Sequence, residues 1–139
     1  MQIRGACHCG NVAFELTWPN DAPRIPARAC GCTFCRKHGA SWTAHPEARL
    51  QLHVQDAAQV ERYNFGTRTA DFLVCKRCGG VPAAISRIDA HDYAVVNINT
   101  FEGVDPAVFD RSSSDFDGEA TEDRLARRKS RWIASVDGP

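Results

Sequence analysis

Every cysteine of this chain lies in one of three short clusters. The clusters are Cys7-His8-Cys9-Gly10, Cys30-Gly31-Cys32-Thr33-Phe34-Cys35 and Cys75-Lys76-Arg77-Cys78-Gly79. The odd total of seven does not pair into disulfides, but it divides into a set of four and a set of three. Four thiolates complete a tetrahedral structural zinc site, and three leave one coordination position open, as catalytic zinc requires. The clusters therefore predict two zinc ions per chain, and they require distant segments to meet.

Length and charge narrow the classes of protein that remain. A chain of 139 residues is long enough for one core, and we expect a single domain over residues 1–139. Acidic and basic residues balance at 17 each, so there is no net charge to attract nucleic acid or an anionic membrane. Because we find neither a signal peptide nor a membrane-length apolar run, we expect a cytoplasmic protein with reduced thiols. A secreted disulfide scaffold is the less favoured alternative.

Alternation of apolar and polar residues predicts a mainly β fold, with short strands over most of the first hundred residues. The alternation is clearest from Val12 to Leu16 and from Leu50 to Val54. The further strand candidates are Ser41 to His45, Gln59 to Phe65, Thr69 to Cys75, Val81 to Ile88 and Tyr93 to Ile98. The loop markers are Pro19, Pro23 and Pro26 before the second cluster, and Asp105-Pro106, a pair typical of a short helical turn.

The composition changes in the C-terminal segment, from about residue 112 to 139, where acidic side chains precede basic ones. The acidic residues are Asp115, Asp117, Glu119, Glu122 and Asp123, and the basic ones are Arg124, Arg127, Arg128, Lys129 and Arg131. This order complements a helix dipole and predicts a short C-terminal helix from about Thr121 to Ser135. Leu125, Trp132 and Val136 share one face of that helix and are expected to dock it on a sheet. We expect the basic run to be a solvated face, with nucleic-acid binding as the alternative.

The first and third clusters have the form of two halves of one zinc site. Cys75 and Cys78 have the spacing of a zinc knuckle, and Gly79 permits the positive φ of a tight turn. Cys7 and Cys9 form a tighter pair of the same kind, also followed by glycine. Because each pair offers only two ligands, we expect one structural zinc that joins two distant segments of the chain. Unrelated buried thiols are the alternative.

The second cluster is the candidate reactive site. Its three thiolates leave a coordination position for water, a carbonyl oxygen or a substrate thiolate, so Cys30, Cys32 and Cys35 are expected to hold a catalytic zinc. Basic residues close in sequence are available to balance the thiolate charge, and two of them could instead bind a carboxylate of a thiol co-substrate. The basic residues are Arg28, Arg36 and Lys37, of which Arg36 and Lys37 are the candidates for co-substrate binding.

Two other interpretations of the second cluster stay open on spacing alone. A histidine, His38 or His45, could supply a fourth ligand and close the site as a second structural centre. His38, three residues after Cys35, is also a candidate proton shuttle. The C-x-x-C pair within the cluster could act as a redox couple, although the surrounding βαβ pattern of such enzymes is missing.

With these motifs, the chain resembles the glutathione-dependent formaldehyde-activating family, which includes centromere protein V. The matching segments, in order, are Gly5-Ala6-Cys7-His8-Cys9-Gly10-Asn11-Val12-Ala13-Phe14, Cys30-Gly31-Cys32-Thr33-Phe34-Cys35-Arg36-Lys37-His38-Gly39, Phe72-Leu73-Val74-Cys75-Lys76-Arg77-Cys78-Gly79 and Val96-Asn97-Ile98-Asn99-Thr100. They span residues 5 to 105, approximately, and form the motif-bearing β core. Three ordered cysteine clusters make a chance resemblance improbable.

The resemblance implies both a fold and an activity. The fold would be mostly antiparallel β and similar to that of methionine sulfoxide reductase B. The cysteines matching the first and third clusters would hold a structural zinc, and those matching the second a catalytic one. The activity would be that of a carbon–sulfur lyase on S-hydroxymethylglutathione, the adduct of formaldehyde with the co-substrate glutathione. A non-catalytic zinc module that binds protein or nucleic acid is the main alternative. A relative of methionine sulfoxide reductase is a second one, but it would need a reactive cysteine outside the zinc sets, and the sequence has none.

Overall fold

The described part of the chain is mainly β. The computed structural model describes residues 1–21 and 24–138. The strands are β1 (Gln2–Ala6), β2 (Val12–Thr17), β3 (Ile25–Cys30), β4 (Ser41–Thr43), β5 (Arg49–Val54), β6 (Val60–Tyr63), β7 (Asp71–Cys75), β8 (Ala83–Ile88), β9 (His91–Asn97), β10 (Phe101–Glu102), β11 (Phe109–Ser114) and β12 (Ser135–Asp137). The helices are α1 (Thr33–His38) and α2 (Thr121–Arg131), and 3-10 turns occupy Ala57–Gln59, Ile98–Thr100 and Pro106–Val108. The predicted mainly β fold with a short C-terminal helix is confirmed.

These strands form two sheets, and both sheets are mixed. One has five strands in the order β10-β1-β2-β5-β12, and the other has seven in the order β11-β3-β4-β9-β8-β7-β6. Most neighbours are antiparallel, but β11 pairs with β3 and β12 pairs with β5 in parallel. The fold is therefore mostly antiparallel, as the resemblance implies, with two parallel pairings. Both exceptions pair strands that are distant in sequence, where no hairpin imposes the antiparallel direction.

The main core lies between the two sheets. Phe14 and Leu16 of β2 are 1% and 0% exposed and face apolar side chains of the seven-stranded sheet. Those partners include Ile25 of β3, Leu73 of β7 and Val96 of β9. Each such side chain contributes about 1.5–3 kcal/mol through burial. The period-two pattern in the sequence thus identified the face on which the sheets pack.

Each predicted strand overlaps an observed strand, but five observed strands lack a clear sequence signal. These are β1, β3, β10, β11 and β12, which are short or carry few large apolar residues. The loop predicted around the three prolines does not extend to Pro26, which lies in β3 opposite Asp110 of β11. The fixed φ of proline is compatible with an extended strand. Pro23 lies outside the described residues.

The C-terminal helix is shorter than predicted and docks differently. It ends at Arg131, and Ile133 then exchanges backbone hydrogen bonds of 2.9 and 3.0 Å with Ala94 of β9. Val136 consequently lies in β12, and Leu125 is only half-buried. The residue that α2 itself buries is Arg128, at 6% exposed. The expectation of an apolar docking face is therefore wrong, apart from the buried Trp132 just beyond the helix.

The prediction of a short helical turn at Asp105-Pro106 is confirmed. Asp105 caps the 3-10 turn Pro106–Val108, because its Oδ1 accepts a hydrogen bond of 3.0 Å from the Ala107 N–H. Among the described residues, no helix combines the length and the apolar character that a membrane span needs.

Candidate metal centres and the adjoining cavity

The first candidate metal centre, here called the four-cysteine site, lies between the β1–β2 turn and the β7–β8 turn. It consists of Cys7, Cys9, Cys75 and Cys78, whose four Sγ atoms lie within 4.8 Å of one another. The Sγ of Cys9 is 3.8 Å from that of Cys7 and 3.5 Å from that of Cys75. A tetrahedral zinc ion with Zn–S bonds of about 2.3 Å separates its sulfurs by about 3.8 Å. The thiols therefore have the spacing that one zinc ion requires.

Two similar turns position these sulfurs. The N–H of Gly10 donates to the carbonyl of Cys7 at 3.0 Å, and the N–H of Gly79 donates to the carbonyl of Cys75 at 2.8 Å. Both glycines adopt positive φ, 84° and 76°, a conformation that other residues adopt at a cost. The glycine after each cysteine pair is thus required by the turn that aims the two sulfurs at one point.

The electrostatics of the four-cysteine site also suit a cation. Burial raises the pKa of Cys7 to about 11. Burial also opposes ionisation of Cys78, but the backbone N–H groups of Cys9 and Gly80 outweigh it and lower its pKa to about 6. Four thiolates in such a place repel one another unless a divalent cation lies between them. The arrangement could therefore hold a metal ion.

The second candidate metal centre, here called the three-cysteine site, is built where β3 runs into α1. It consists of Cys30, Cys32 and Cys35, whose Sγ atoms also lie within 4.8 Å of one another. Cys32 caps α1, because its Sγ accepts a hydrogen bond of 3.4 Å from the Cys35 N–H. The Sγ of Cys35 accepts a further hydrogen bond of 3.4 Å from Nε1 of Trp42. The start of the helix and the adjacent strand β4 thus fix the positions of the thiols.

The three thiols do not ionise alike. The hydrogen bond from Cys35 lowers the pKa of Cys30 to about 5, and the Arg28 guanidinium adds to this effect. The same contact raises the pKa of Cys35 far above its usual value. The contact therefore favours the ionised form of Cys30 beside the protonated form of Cys35. Arg28 thus lies close enough to Cys30 to stabilise its thiolate, as its position in the sequence led us to expect.

No histidine or carboxylate in the described part of the chain joins the three-cysteine site. His38 is exposed at the end of α1, and its ring packs on Phe34 with centroids 4.4 Å apart. His45 packs edge-on against Trp18 at 5.5 Å, and its Nδ1 accepts a hydrogen bond from the Glu47 N–H at 3.1 Å. Neither histidine is placed as the fourth ligand that would close the site.

A cavity of about 420 Å³ adjoins the three-cysteine site. Its lining combines aromatic and apolar side chains with polar and charged residues, several of which come from α2 and the loop before it. The lining residues are Arg28, Cys30, Cys32, Thr33, Cys35, Trp42, Phe65, Gly66, Thr67, Thr69, Ala70, Phe72, Ala84, Val95, Phe116, Asp117, Gly118, Arg124, Arg127, Arg128 and Trp132. Arg36 and Lys37, exposed on the last turn of α1, do not line it.

The arginines of α2 are the site residues that sequence reasoning missed. Arg124, Arg127 and Arg128 line the cavity, whereas Lys129 and Arg131 on the same helix are exposed. The expectation of a wholly solvated basic face is therefore corrected. The basic run was the available signal, but spacing along a helix does not reveal that its charged side faces a cavity.

Comparison with known proteins agrees with this description. The family model described as glutathione-dependent formaldehyde-activating enzyme matches residues 2–114 of this chain. The crystal structure of a Rhodobacter sphaeroides protein is similar at 35% identity with a TM-score of 0.53, over 74% of this chain and 91% of that one. The residues matched by the family model contain both cysteine sites and end before α2. This chain therefore belongs to the glutathione-dependent formaldehyde-activating enzyme family.

Proposed function

We propose that the protein is a zinc-dependent carbon–sulfur lyase that forms or cleaves a thiol–aldehyde adduct such as S-hydroxymethylglutathione. The observation that carries the proposal is a 420 Å³ cavity bordered by three thiols that have no fourth side-chain ligand among the described residues. A site open on one side to a cavity can accept a small molecule beside the metal, whereas a closed structural site cannot. Family membership supports the handling of formaldehyde and glutathione.

The two cysteine sites take different roles in this proposal. The four-cysteine site holds a structural zinc, and the three-cysteine site holds the catalytic one. A zinc ion in the latter supplies Lewis acidity, which polarises an aldehyde carbonyl and favours the ionised form of a thiol. Arg28 offsets the negative charge of the thiolates. The proposal gives no role to His38, Arg36 or Lys37, because they do not line the cavity.

The proposed reaction needs no oxidant or reductant. In adduct formation a sulfur–carbon bond forms as the π bond of the aldehyde carbonyl opens, and the proton lost by the thiol ends on the new hydroxyl oxygen. Cleavage is the reverse. The indole of Trp42 and the ring of Phe72, 5.7 Å apart, give the cavity an apolar wall that limits access of water to the reacting atoms. The hydrogen bond from Trp42 to Cys35 holds one ligand sulfur in place.

We also propose that the protein works in the reducing cytoplasm. All seven cysteines are free thiols, and thiolate ligands persist where disulfides do not form.

The experiment combines zinc analysis with a measurement of exchange. Untagged protein purified without chelator should contain two zinc ions per chain. Magnetisation-exchange NMR should then show that it accelerates interconversion of glutathione, formaldehyde and their adduct above the spontaneous rate. Cys32→Ser should stay folded and lose about 100-fold of this acceleration, because a ligand of the catalytic metal is removed. Arg62→Gln, an exposed change away from the cavity, should behave as the original protein does. A two-zinc protein without acceleration would contradict the proposal and favour the non-catalytic module.

A further inference from the structure

Arg128 is a buried cation without a carboxylate partner in the described part of the chain. Its side chain is 6% exposed and lines the cavity. Nη1 donates to Oγ1 of Thr69 at 2.8 Å and to Oγ of Ser86 at 3.1 Å, both neutral hydroxyls. Nε has no hydrogen-bond partner among the described residues. Burial lowers the pKa of Arg128 to about 10. A buried charge of this kind is unfavourable unless an anion pairs with it.

A second unpaired donor belongs to the same wall. The Nε1 of Trp132 is buried without a hydrogen-bond partner in the described residues, and Trp132 is 7% exposed. Its ring lies 4.9 Å from the guanidinium carbon of Arg128. Most buried N–H groups in proteins are paired. Three residues that line the cavity, Arg124, Arg128 and Trp132, each carry a buried N–H donor without a hydrogen-bond partner in the described residues, which favours an acceptor beside them.

Neighbouring charges leave the cavity with an excess of guanidinium groups. Glu119 accepts two hydrogen bonds of 3.1 Å from Arg127 and lies 3.8 Å from Nε of Arg124. Arg28 has no ion pair among the described residues; it donates to Oγ of Ser114 at 2.9 Å and stacks on the Phe116 ring at 5.2 Å. Asp117 is the acidic residue of the lining. Arg28 also offsets the thiolate charge of the three-cysteine site, so Arg128 is the lining arginine left without an ion pair or a neighbouring thiolate among the described residues.

We propose that Arg128, supported by Arg28 and Arg124, forms an anion-binding subsite that receives a carboxylate of the thiol substrate. The assignment rests on the proposed function for the thiol, and it adds the residues that bind the carboxylate of that ligand. The edge of a guanidinium that contains Nε matches the two oxygens of a carboxylate, and such charge-assisted pairs are stronger than neutral hydrogen bonds. A carboxylate held at α2 leaves the rest of the ligand in the cavity beside the three-cysteine site.

Two of the three arginines of the subsite, Arg124 and Arg128, belong to a part of the chain that the family model does not match. That match ends at residue 114, and α2 begins at Thr121. We infer that the C-terminal helix adds selectivity for acidic substrates to a reactive site formed by the matched residues.

Binding of a thiol-free ligand tests the subsite separately from the reaction. S-methylglutathione keeps both carboxylates of glutathione but has no free thiol, and its dimethyl ester lacks the carboxylate charges. Calorimetric titration at low salt, with zinc content matched between proteins, should show that the acid binds at least tenfold more tightly than the ester. Arg128→Gln should weaken binding of the acid at least tenfold. Lys129→Gln, which removes an exposed charge of the same helix, should change it less than twofold.

Several outcomes would overturn the subsite. Equal affinity for acid and ester would do so, as would equal losses in Arg128→Gln and Lys129→Gln. Tight binding of inorganic phosphate with no binding of S-methylglutathione would identify a different ligand. If Arg128→Gln does not fold, Arg124→Gln and the acid-to-ester ratio of the original protein decide the question. Acid-selective binding without catalysed adduct exchange would contradict the proposed function and support the subsite. Catalysed exchange with equal binding of acid and ester would support the proposed function and contradict the subsite.

Discussion

At the residue scale, the backbone of two short turns determines where the sulfurs of the four-cysteine site point. Gly80, next to one of these turns, has little free space around it. A Cβ at this position would lie 2.9 Å from Cβ of Cys7 and 3.5 Å from Sγ of Cys78. The hydrogen there lets the β7–β8 turn approach the N-terminal pair closely, so the packing of this glycine affects a site to which it contributes no ligand.

Gly80→Ala is therefore expected to weaken the four-cysteine site. The added methyl must displace Cys7, and such overpacking costs about 1–3 kcal/mol in the free energy of unfolding. Zinc should leave this site at a lower concentration of a chromophoric chelator, while the three-cysteine site is unaffected. The control is Gly103→Ala, which meets no atom within 4 Å and pays only for its φ of 70°, about 1–2 kcal/mol. Unchanged zinc retention in Gly80→Ala would contradict the prediction.

Other residues show how far proximity in sequence can be trusted. Arg28, Arg36 and Lys37 all lie near the second cluster in sequence, but only Arg28 lines the cavity. The strand β3 carries Arg28 alongside Cys30, whereas Arg36 and Lys37 are exposed on the last turn of α1. All three residues lie within a few positions of a cysteine of the second cluster. The secondary structure that carries each residue therefore decides whether its side chain reaches the cavity.

At the scale of elements, α2 and the segment before it behave as one unit. Glu119 lies just ahead of the helix and holds Arg127 through a two-pronged pair, and Arg127 covers the Phe116 ring at 3.7 Å. The side chains of Glu119 and Arg127 are 19% and 16% exposed. The contacts fix both the helix and the loop against the cavity, which the sequence-derived helix prediction did not anticipate.

Replacement of Glu119 by glutamine should destabilise this unit in a pH-dependent way. At neutral pH we expect a loss of about 1–2 kcal/mol in the free energy of unfolding, because one charge-assisted pair becomes a neutral hydrogen bond. The hydrogen bond from Arg127 lowers the pKa of Glu119. Its stabilisation is therefore present above the usual carboxyl pKa and is lost as the pH falls through the lowered value in the folded protein. Urea unfolding of both proteins along a pH series should show that the difference in their free energies of unfolding becomes smaller as the pH falls.

The control for this series is an exposed ion pair. Glu61 lies 3.9 Å from Lys76, and both side chains are largely solvated. Glu61→Gln should cost less than about 0.5 kcal/mol at neutral pH. A Glu119→Gln loss as small as this, or one that does not shrink on acidification, would show that the pair does not hold α2 in place.

At the scale of the whole molecule, the four-cysteine site joins the two sheets. Cys7 and Cys9 come directly after β1 of the five-stranded sheet. Cys75 ends β7 of the seven-stranded sheet, and Cys78 lies in the turn that follows it. The three-cysteine site instead lies within six residues of one segment. A metal in the first site closes a long loop of chain, which favours the folded state, whereas a metal in the second closes a short one.

Stepwise metal removal should consequently separate the two sites. We expect the first zinc lost to a chelator to come from the three-cysteine site without a change in circular dichroism. Loss of the second should lower the thermal midpoint by about 10 °C or more, because several kcal/mol of metal binding no longer stabilise the fold. Cys78→Ser should reproduce the second effect and Cys32→Ser the first. Equal melting of these two variants would contradict the division of roles.

The sequence by itself determined which cysteines could share a metal ion, the mainly β character and the existence of a C-terminal helix. Each of these depends on short-range spacing: cysteines two or three apart, apolar residues two apart, and acidic residues before basic ones. Local backbone geometry sets these patterns, so they can be recognised in the sequence without knowledge of the tertiary structure.

Only the tertiary structure decided what surrounds the reactive thiols. The parallel pairings of β11 and β12, the absence of a histidine from the three-cysteine site in the described residues, and the burial of Arg128 all depend on contacts between distant segments. From sequence alone, a charged residue is predicted to be solvent-exposed, because most charged side chains in proteins are. Whether it instead faces a cavity is settled by packing, which brings a helix outside the family match against the candidate site.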